Sequence, residues 1–458
     1  MAELLGLSAF DSLQAEYEPW LAQCYVPPPN FALMARWRSM LVFGDAGAGK
    51  TALRLALERT WAPPEAKPTA LVAHWPFTLV EDASLTGTRL VRAYTAQALD
   101  AVARALMHHL TQFPPNWGQL PGWVRNALGW FAQTFFLGDL GQHLEPLQSE
   151  YGGEQVSRLQ EALLRPALDV LPPSSPIPLV IAEVAKAVQA LGLEGVRVTV
   201  DGLEPWYEAD RTLLADQLES FLNALALFEH PRFAYAIFVP SELDSSDWSP
   251  GSVVRRRVDV YRLKWDALAL ETMMERRLAL ALGETAFPLS RLGPPERLRR
   301  WLRGCGGYSA RGWLATLRPF VARFLAKAEE GGRREPLTDE ECVRVETESP
   351  PRLFIDPDTD QVLVGWRQVE GLQPAQLALL KYLYQQRGRL CPRETVLRYY
   401  LQTTGELHRL EPGQARYSAE GLLDQAMYRL RQAIEPDPAN PIFVITEKQR
   451  GFRLQNAW

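Results

Sequence analysis

Short apolar runs punctuate the first 265 residues at 40–43, 70–75, 196–200, 233–239 and 258–263, and each reads as a strand. Helical patterning fills the intervals. A helix is expected over about 50–60, and a mostly helical stretch over about 88–165, interrupted at Pro114-Pro115 and Pro121-Gly122. Its aromatic residues, Trp117, Trp123, Trp130, Phe131, Phe135 and Phe136, recur at helical spacing and are expected in a core. Pro172-Pro173-Ser174-Ser175-Pro176 reads as a loop or hinge, and helices are expected again at 266–282 and within 296–326. Residues 327–350 are charged, carry glycine and have little periodicity, as a linker does. Beyond them lie β-like segments at 353–369, amphipathic helices starting near 372 and spanning 392–401 and 419–434, and a terminal hairpin over 442–454.

This pattern divides the chain into a helical, proline-rich cap (1–39), an α/β core (40–265) with a helical insertion at about 88–170, a helical lid (266–326), a linker (327–350) and a C-terminal domain (351–458). With 458 residues, 47% of them hydrophobic, the chain can fill more than one core. A net charge of −5 argues against a generally basic coat for nucleic acid. Only seven of the 49 basic residues are lysines; 42 are arginines. Cys24, Cys305, Cys342 and Cys391 are too scattered for a metal knuckle or a disulfide framework. The apolar window 177–191 carries Glu183 and Lys186, so no membrane span is expected; without a recognisable signal peptide, a cytoplasmic location is.

Chemistry concentrates after the first strand. Gly44-Asp45-Ala46-Gly47-Ala48-Gly49-Lys50-Thr51 fits the phosphate-loop pattern G-x-x-x-x-G-K-[ST] in full. Glycines let successive N–H groups curl around a phosphate, and the helix that follows presents its positive dipole end. Gly44 through Thr51, with Ala52, form the expected nucleotide-binding set. Lys50 would reach the β- and γ-phosphates and the Thr51 hydroxyl would hold Mg²⁺. The strand at 196–200 ends in Asp201, the acidic residue that the metal side requires, and Glu204 follows as a candidate to polarise the attacking water. His74 ends the second strand either as a ligand or as an ordinary polar terminus. Ser241 and Glu242, after the fourth strand, either sense the γ-phosphate or form a plain loop. The run Arg255-Arg256-Arg257 suits two readings: a solvated or phosphate-facing loop, or an arginine finger, with Arg255 and Arg256 as its candidates, reaching a neighbouring protomer.

Residues from about 10 to 326 resemble the STAND and AAA+ branch of P-loop ATPases. The resemblance rests on Gly44–Thr51, on Val200-Asp201-Gly202-Leu203-Glu204, on the Tyr-Arg-Leu-Lys-Trp-Asp run at 261–266 and on Ser309-Ala310-Arg311. It implies a P-loop NTPase parallel sheet with a helical lid, ATP and Mg²⁺ as ligands, ATP hydrolysis, and Arg311 as the lid arginine. Ala310 stands where proline is usual, and Glu204-Pro205 replaces an acidic pair, which bears on the hydrolysis rate. The absence of an Asn-Lys-x-Asp signature favours ATP over GTP.

Residues 351–458 resemble the OmpR-type winged helix, most specifically in Tyr428-Arg429-Leu430-Arg431-Gln432-Ala433-Ile434-Glu435-Pro436 and in the run at 445–454 with its Gly451-Phe452 tip. The resemblance implies a recognition helix placing Gln425, Tyr428, Arg429 and Arg431 toward DNA, with Lys448 and Arg450 on the wing; Arg431 has the alternative of facing the fold's interior. This region holds 14 basic and 12 acidic residues, a net +2, so a single copy should bind DNA weakly. The expected function is an ATP-dependent switch that assembles on nucleotide binding and engages double-stranded DNA. The alternative is a signalling or scaffold switch whose winged helix docks a protein effector.

Overall fold

The computed structural model describes residues 6–11, 14–82, 84–164, 170–172, 175–244, 257–331, 333–357, 359–407 and 416–458. The chain divides into two compact units, one of residues 27–264 and the other of residues 1–26 with 265–458.

In the first unit, β1 (Met40–Gly44), β2 (Leu71–Pro76), β3 (Val196–Asp201), β4 (Phe233–Pro240) and β5 (Asp259–Arg262) form a parallel sheet ordered β2-β3-β4-β1-β5. The three inner strands β1, β3 and β4 are buried along their whole length. Parallel strands covered on both faces are mainly apolar, which is why β1 and β4 show in the sequence as unbroken runs; β3 instead alternates valine with Arg197 and Thr199, whose polar groups find acceptors in Arg36 O, Ala35 O and Glu58. The edge strands β2 and β5 carry the exposed positions. Helix α1 (Lys50–Trp61) follows β1 directly, and the crossover from β2 to β3 contains α2 (Gly87–Gln112), α3 (Gly122–Phe135), α4 (Leu140–Tyr151), α5 (Gly153–Leu164) and α6 (Ile177–Ala190). After β3 come α7 (Glu204–Ala209) and α8 (Arg211–Leu222). The fold is α/β with the parallel sheet and helical insertion of a P-loop protein.

Aromatic side chains weld the insertion to the sheet. Trp75 of β2 packs on Phe77, on Tyr94 of α2 and on Phe221 of α8, and Tyr94 in turn packs on Phe77 and Phe221, with ring centroids 5.1–6.1 Å apart. Trp130, Phe131 and Phe136 of the expected aromatic stripe are buried. Trp123 differs: it is 41% exposed, and Lys186 Nζ sits 4.4 Å above its ring. Residues 27–39 are tied to the sheet by Arg197, an arginine inside β3. Its guanidinium lies between Trp37 and Trp61, 4.2 and 4.1 Å from the ring centres, and donates to Arg36 O and Ala35 O. Burial pushes its pKa down to about 10.

In the second unit, α9 (Ala267–Leu282), α10 (Pro295–Gly306) and α12 (Asp339–Glu348) pack on α11 (Ala310–Gly331), and α9 and α11 also meet the N-terminal residues. The cap expected over 1–39 is therefore shared between the units. A buried ion pair explains the division: Arg277 of α9 meets Glu18 at 2.8 Å and donates to Ala9 O at 3.1 Å. The linker expected over 327–350 is also corrected, because Lys327–Gly331 completes α11 and Asp339–Glu348 is helical. Thr338 and Glu341 form a capping box at the start of α12, and Lys327 Nζ lies 2.7 Å from Glu341 Oε2. Local capping and several ion pairs, Arg297–Glu346 and Arg334–Glu284 among them, thus order a segment whose composition alone reads as linker.

The remaining elements are β6 (Leu353–Ile355), β7 (Val362–Val364) and β8 (Arg367–Val369) in one antiparallel sheet, then α13 (Pro374–Gln385), β9 (Leu390–Pro392), α14 (Arg393–Thr404), α15 (Arg416–Ile434) and the hairpin β10 (Val444–Glu447) with β11 (Gly451–Leu454). β9 joins the hairpin through β11. This module is seated closely on the lid helices. Arg367 of β8 donates from Nε to Gly304 O, from Nη1 to Ala433 O and from Nη2 to Ile434 O, at 2.7, 2.9 and 3.0 Å, so one guanidinium joins the ends of α10 and α15. Trp366 N donates to Cys305 O at 2.8 Å. A Cβ at Gly304 would meet Pro436 Cα at 2.7 Å, and one at Gly312 would meet Trp366 Cβ at the same distance.

Two predictions follow from this packing. Gly304→Ala forces backbone apart and should cost about 1–3 kcal/mol in urea unfolding, whereas Gly331→Ala, which meets nothing within 4 Å, should be near neutral; equal effects would refute the close seam. Lys327 and the Thr338 N–H hold the Glu341 carboxyl down to about 2, from an ordinary value of 4.5. A depressed carboxyl contributes stability that is present above pH 4.5 and lost as pH falls toward 2. Wild type should therefore lose roughly several degrees of Tm in that window relative to Glu341→Gln; parallel pH profiles would remove the inferred role.

Candidate nucleotide site

The phosphate loop occupies the carboxyl end of β1, which lies between β4 and β5, and the carboxyl ends of β3 and β4 open on the same side of the parallel sheet. A crevice at the carboxyl ends of parallel strands is where such sheets bind ligands. Gly47 and Gly49 take φ of +76° and +94°, in the left-handed region that glycine adopts without strain. Gly49 is the N-cap of α1 and has no side chain with which to cap it. The first intrahelical bond runs from Leu53 N to Gly49 O, so the N–H groups of Lys50, Thr51 and Ala52 precede it and stand at the positive end of the helix. Asp45 and Ala46 are exposed and Ala48 is buried, with Ala48 N donating to Asp45 O.

Lys50 is 5% exposed, and three acceptors surround its ammonium: Gly44 O at 2.5 Å, Asp45 O at 3.1 Å and Glu204 Oε1 at 2.7 Å. A Cβ at Gly44 would press on Lys50 Cγ at 3.2 Å, which accounts for glycine at the head of the loop. Glu204, expected to address water, thus holds the lysine across the crevice. Asp201 is buried at the end of β3; its Oδ2 accepts from Arg54 Nε at 3.2 Å and its Oδ1 from Gly202 N at 2.9 Å. Arg54 also donates to both oxygens of Glu58, at 3.0 and 3.1 Å. Burial works against the Arg54 charge, but Glu58 and Asp201 more than offset it and raise its pKa. Ser241 Oγ hydrogen-bonds Asp45 Oδ1, so the end of β4 touches the loop. His74 Nδ1 lies 3.5 Å from Thr199 Oγ1, within the sheet's own polar contacts.

Sequence reasoning missed Arg54 and Glu58. Their signal was available: two charged residues four apart on the helix that follows a phosphate loop, facing a strand that ends in Asp. Arg255 and Arg256 lie outside the described residues; Arg257 pairs with Glu229 at 3.2 Å on the surface. Arg311 sits half-buried in the first turn of α11, in the other unit.

On the C-terminal module, Gln425, Tyr428 and Arg429 are exposed along α15, and Lys448 and Arg450 lie at the tip of the hairpin, where Arg450 Nη1 is 3.3 Å from Glu447. Arg431 departs from its DNA-facing expectation. Its Nε and Nη2 donate to Val444 O at 3.0 and 2.8 Å, and Nη2 also donates to Thr446 Oγ1, so it binds helix to hairpin. Glu435 accepts from the backbone N–H groups of Ile442, Phe443 and Val444 beside it.

Among the described residues no cluster of His, Cys, Asp and Glu is arranged to hold a metal by itself, and no helix is long and apolar enough to cross a membrane. The four cysteines are buried free thiols.

No protein-family profile matches the chain, and no curated protein matches it in sequence. Solved structures with some likeness include the ORC2 protein of Aeropyrum pernix in ADPNP–ADP complexes, at 13% identity over 96% of this chain and 93% of that one, with a TM-score of 0.36. The ORC1 protein of the same organism in complex with DNA has 14% identity over 97% and 93%, with a TM-score of 0.35.

Proposed function

We propose that this chain is an ATP-binding, slowly hydrolysing switch that governs how its C-terminal module engages double-stranded DNA. The carrying observation is the buried Lys50 ammonium beneath an uncapped helix N-terminus. Gly44 O, Asp45 O and Glu204 Oε1 are three acceptors that phosphate oxygens replace one for one, while the loop and first-turn N–H groups of α1 cradle the phosphate. The donor set also fits Mg²⁺, a hard cation that takes oxygen ligands: the Thr51 hydroxyl at the helix start and the Asp201 carboxylate at the end of β3. Bound there, the metal would supply charge neutralisation at the phosphate oxygens. Release of Glu204 from Lys50 by the incoming phosphate frees its carboxylate to orient water. Arg255 or Arg256 from a neighbouring protomer, and Arg311 from the lid, complete the reading, with assembly driven by nucleotide.

On α15, Gln425, Tyr428 and Arg429 present a polar face with one aromatic ring, 62% exposed at Tyr428. A protein-docking helix would present an apolar stripe there, so this face supports DNA over an effector protein. With a net charge of +2 on the module, assembly must multiply weak contacts into useful avidity.

Anisotropy on a random duplex tests this reading. A non-hydrolysable ATP analogue with Mg²⁺ should tighten binding at least about tenfold, the effect should shrink with salt, and Lys50→Ala should lose it. Absence of binding with and without nucleotide, even at low salt, would move the reading to the protein-docking switch. Glu204→Gln removes the competitor for Lys50; it should tighten the analogue by roughly fivefold, the worth of a partly exposed ion pair, while slowing turnover. Weaker binding by that variant would show that Glu204 does not hold Lys50 in reserve.

A further inference from the structure

We propose that Arg54 and Glu58 are positioning residues for Asp201, which fix its carboxylate and leave the cluster with a net negative charge that a divalent cation neutralises. This inference rests on the nucleotide reading of the phosphate loop.

Geometry comes first. Arg54 lies one turn beyond Thr51 on α1 and is 5% exposed. With Nε on Asp201 Oδ2 and Gly202 N on Oδ1, both oxygens are pinned, so the plane of the carboxylate is set. An ionised carboxylate offers about four lone-pair sites, so each pinned oxygen keeps one for a further partner. The Arg54 fork is itself anchored by both oxygens of Glu58, and Thr199 Oγ1 of β3 donates to Glu58 Oε1 at 2.6 Å. Helix α1 and strand β3 are thereby joined through Asp201 and Glu58 alike.

Two carboxylates face one guanidinium, which leaves one negative charge among largely buried groups. Burying unpaired charge is costly, and a buried ion pair is poor evidence of a stabilising role. Helix stability does not explain the pair either: arginine four residues before glutamate is the less favourable order for the helix dipole. Lys50 and Glu204 already balance each other across the crevice. A surplus of one negative charge beside the phosphate loop is what a divalent cation would offset, and outer-shell partners of this kind set how tightly a ligand carboxylate holds metal.

The test separates metal-free from metal-dependent binding in the full chain. Calorimetry with a non-hydrolysable ATP analogue is run in EDTA and then across a Mg²⁺ titration, with thermal melting as the check on folding. For Arg54→Lys, which keeps the charge and loses the fork, affinity in EDTA should stay within about twofold while the Mg²⁺ midpoint rises about tenfold. Glu58→Gln removes the surplus charge and should also raise the midpoint. Should Arg54→Lys fail to fold, Glu58→Gln still decides the matter. Mg²⁺ titrations matching wild type in the folded variants would overturn the positioning role. Wild-type binding by Lys50→Ala would instead overturn the phosphate-loop reading beneath it.

Discussion

The first unit depends on keeping a nearly buried ammonium satisfied. Lys50 cannot stay charged at 5% exposure without acceptors on all sides, and β1, the loop and the residues after β3 supply them. That requirement fixes three features together. A side chain at Gly44 would crowd Lys50, whose Cγ passes 3.2 Å from where its Cβ would lie. The loop must double back so that Gly44 O and Asp45 O point inward, which the positive φ values of Gly47 and Gly49 allow. Glu204 must start α7 within reach of the crevice. The same contacts that satisfy the lysine hold it where phosphate would arrive.

In the second unit, Arg367 has the corresponding place. Its five donors suit a site where carbonyls from two helix ends converge, and three of them are met at 2.7–3.0 Å. Glycines at 304, 307, 312 and 365 let backbones approach where any side chain would intrude. Lid helices and C-terminal module are consequently joined by contacts of core quality rather than by a tether. A movement of α10 would be carried into α15 as a rotation of packed bodies, because close-packed interfaces transmit strain instead of absorbing it.

Much of this was legible in the sequence, for definable reasons. Inner parallel strands are largely apolar on both faces, so β1 and β4 stand out as uninterrupted runs and β3 as a β-branched one ending in Asp201, and the phosphate loop carries its backbone demands in its own residues. What escaped was set by tertiary partners. Arg54 reads as an ordinary polar helix position until β3 brings Asp201 beside it. Arg431 lies on the helix likened to a recognition helix, yet the hairpin turns it inward toward Val444 O. The residues of 327–350 look like a linker by composition, although Thr338 and Glu341 are a capping box visible in the sequence. Phe10 and Glu18 gave no sign that they pack with a helix some 250 residues on, since nothing local encodes a buried ion pair with Arg277.

The arginine excess then takes on structural meaning. Arg54, Arg197 and Arg277 are buried, and Arg367 and Arg431 are half-buried; each directs its fork at carbonyls or carboxylates of the chain itself. A planar guanidinium is suited to that work because several fixed acceptors can be met at once. Of the seven lysines, Lys50 is the buried one. A compact ammonium on a flexible stem forms its contacts without a fixed fork geometry, so its partners can be exchanged. Arginine thus holds the fixed acceptors of the interior, and the one buried lysine stands at the glycine-rich loop.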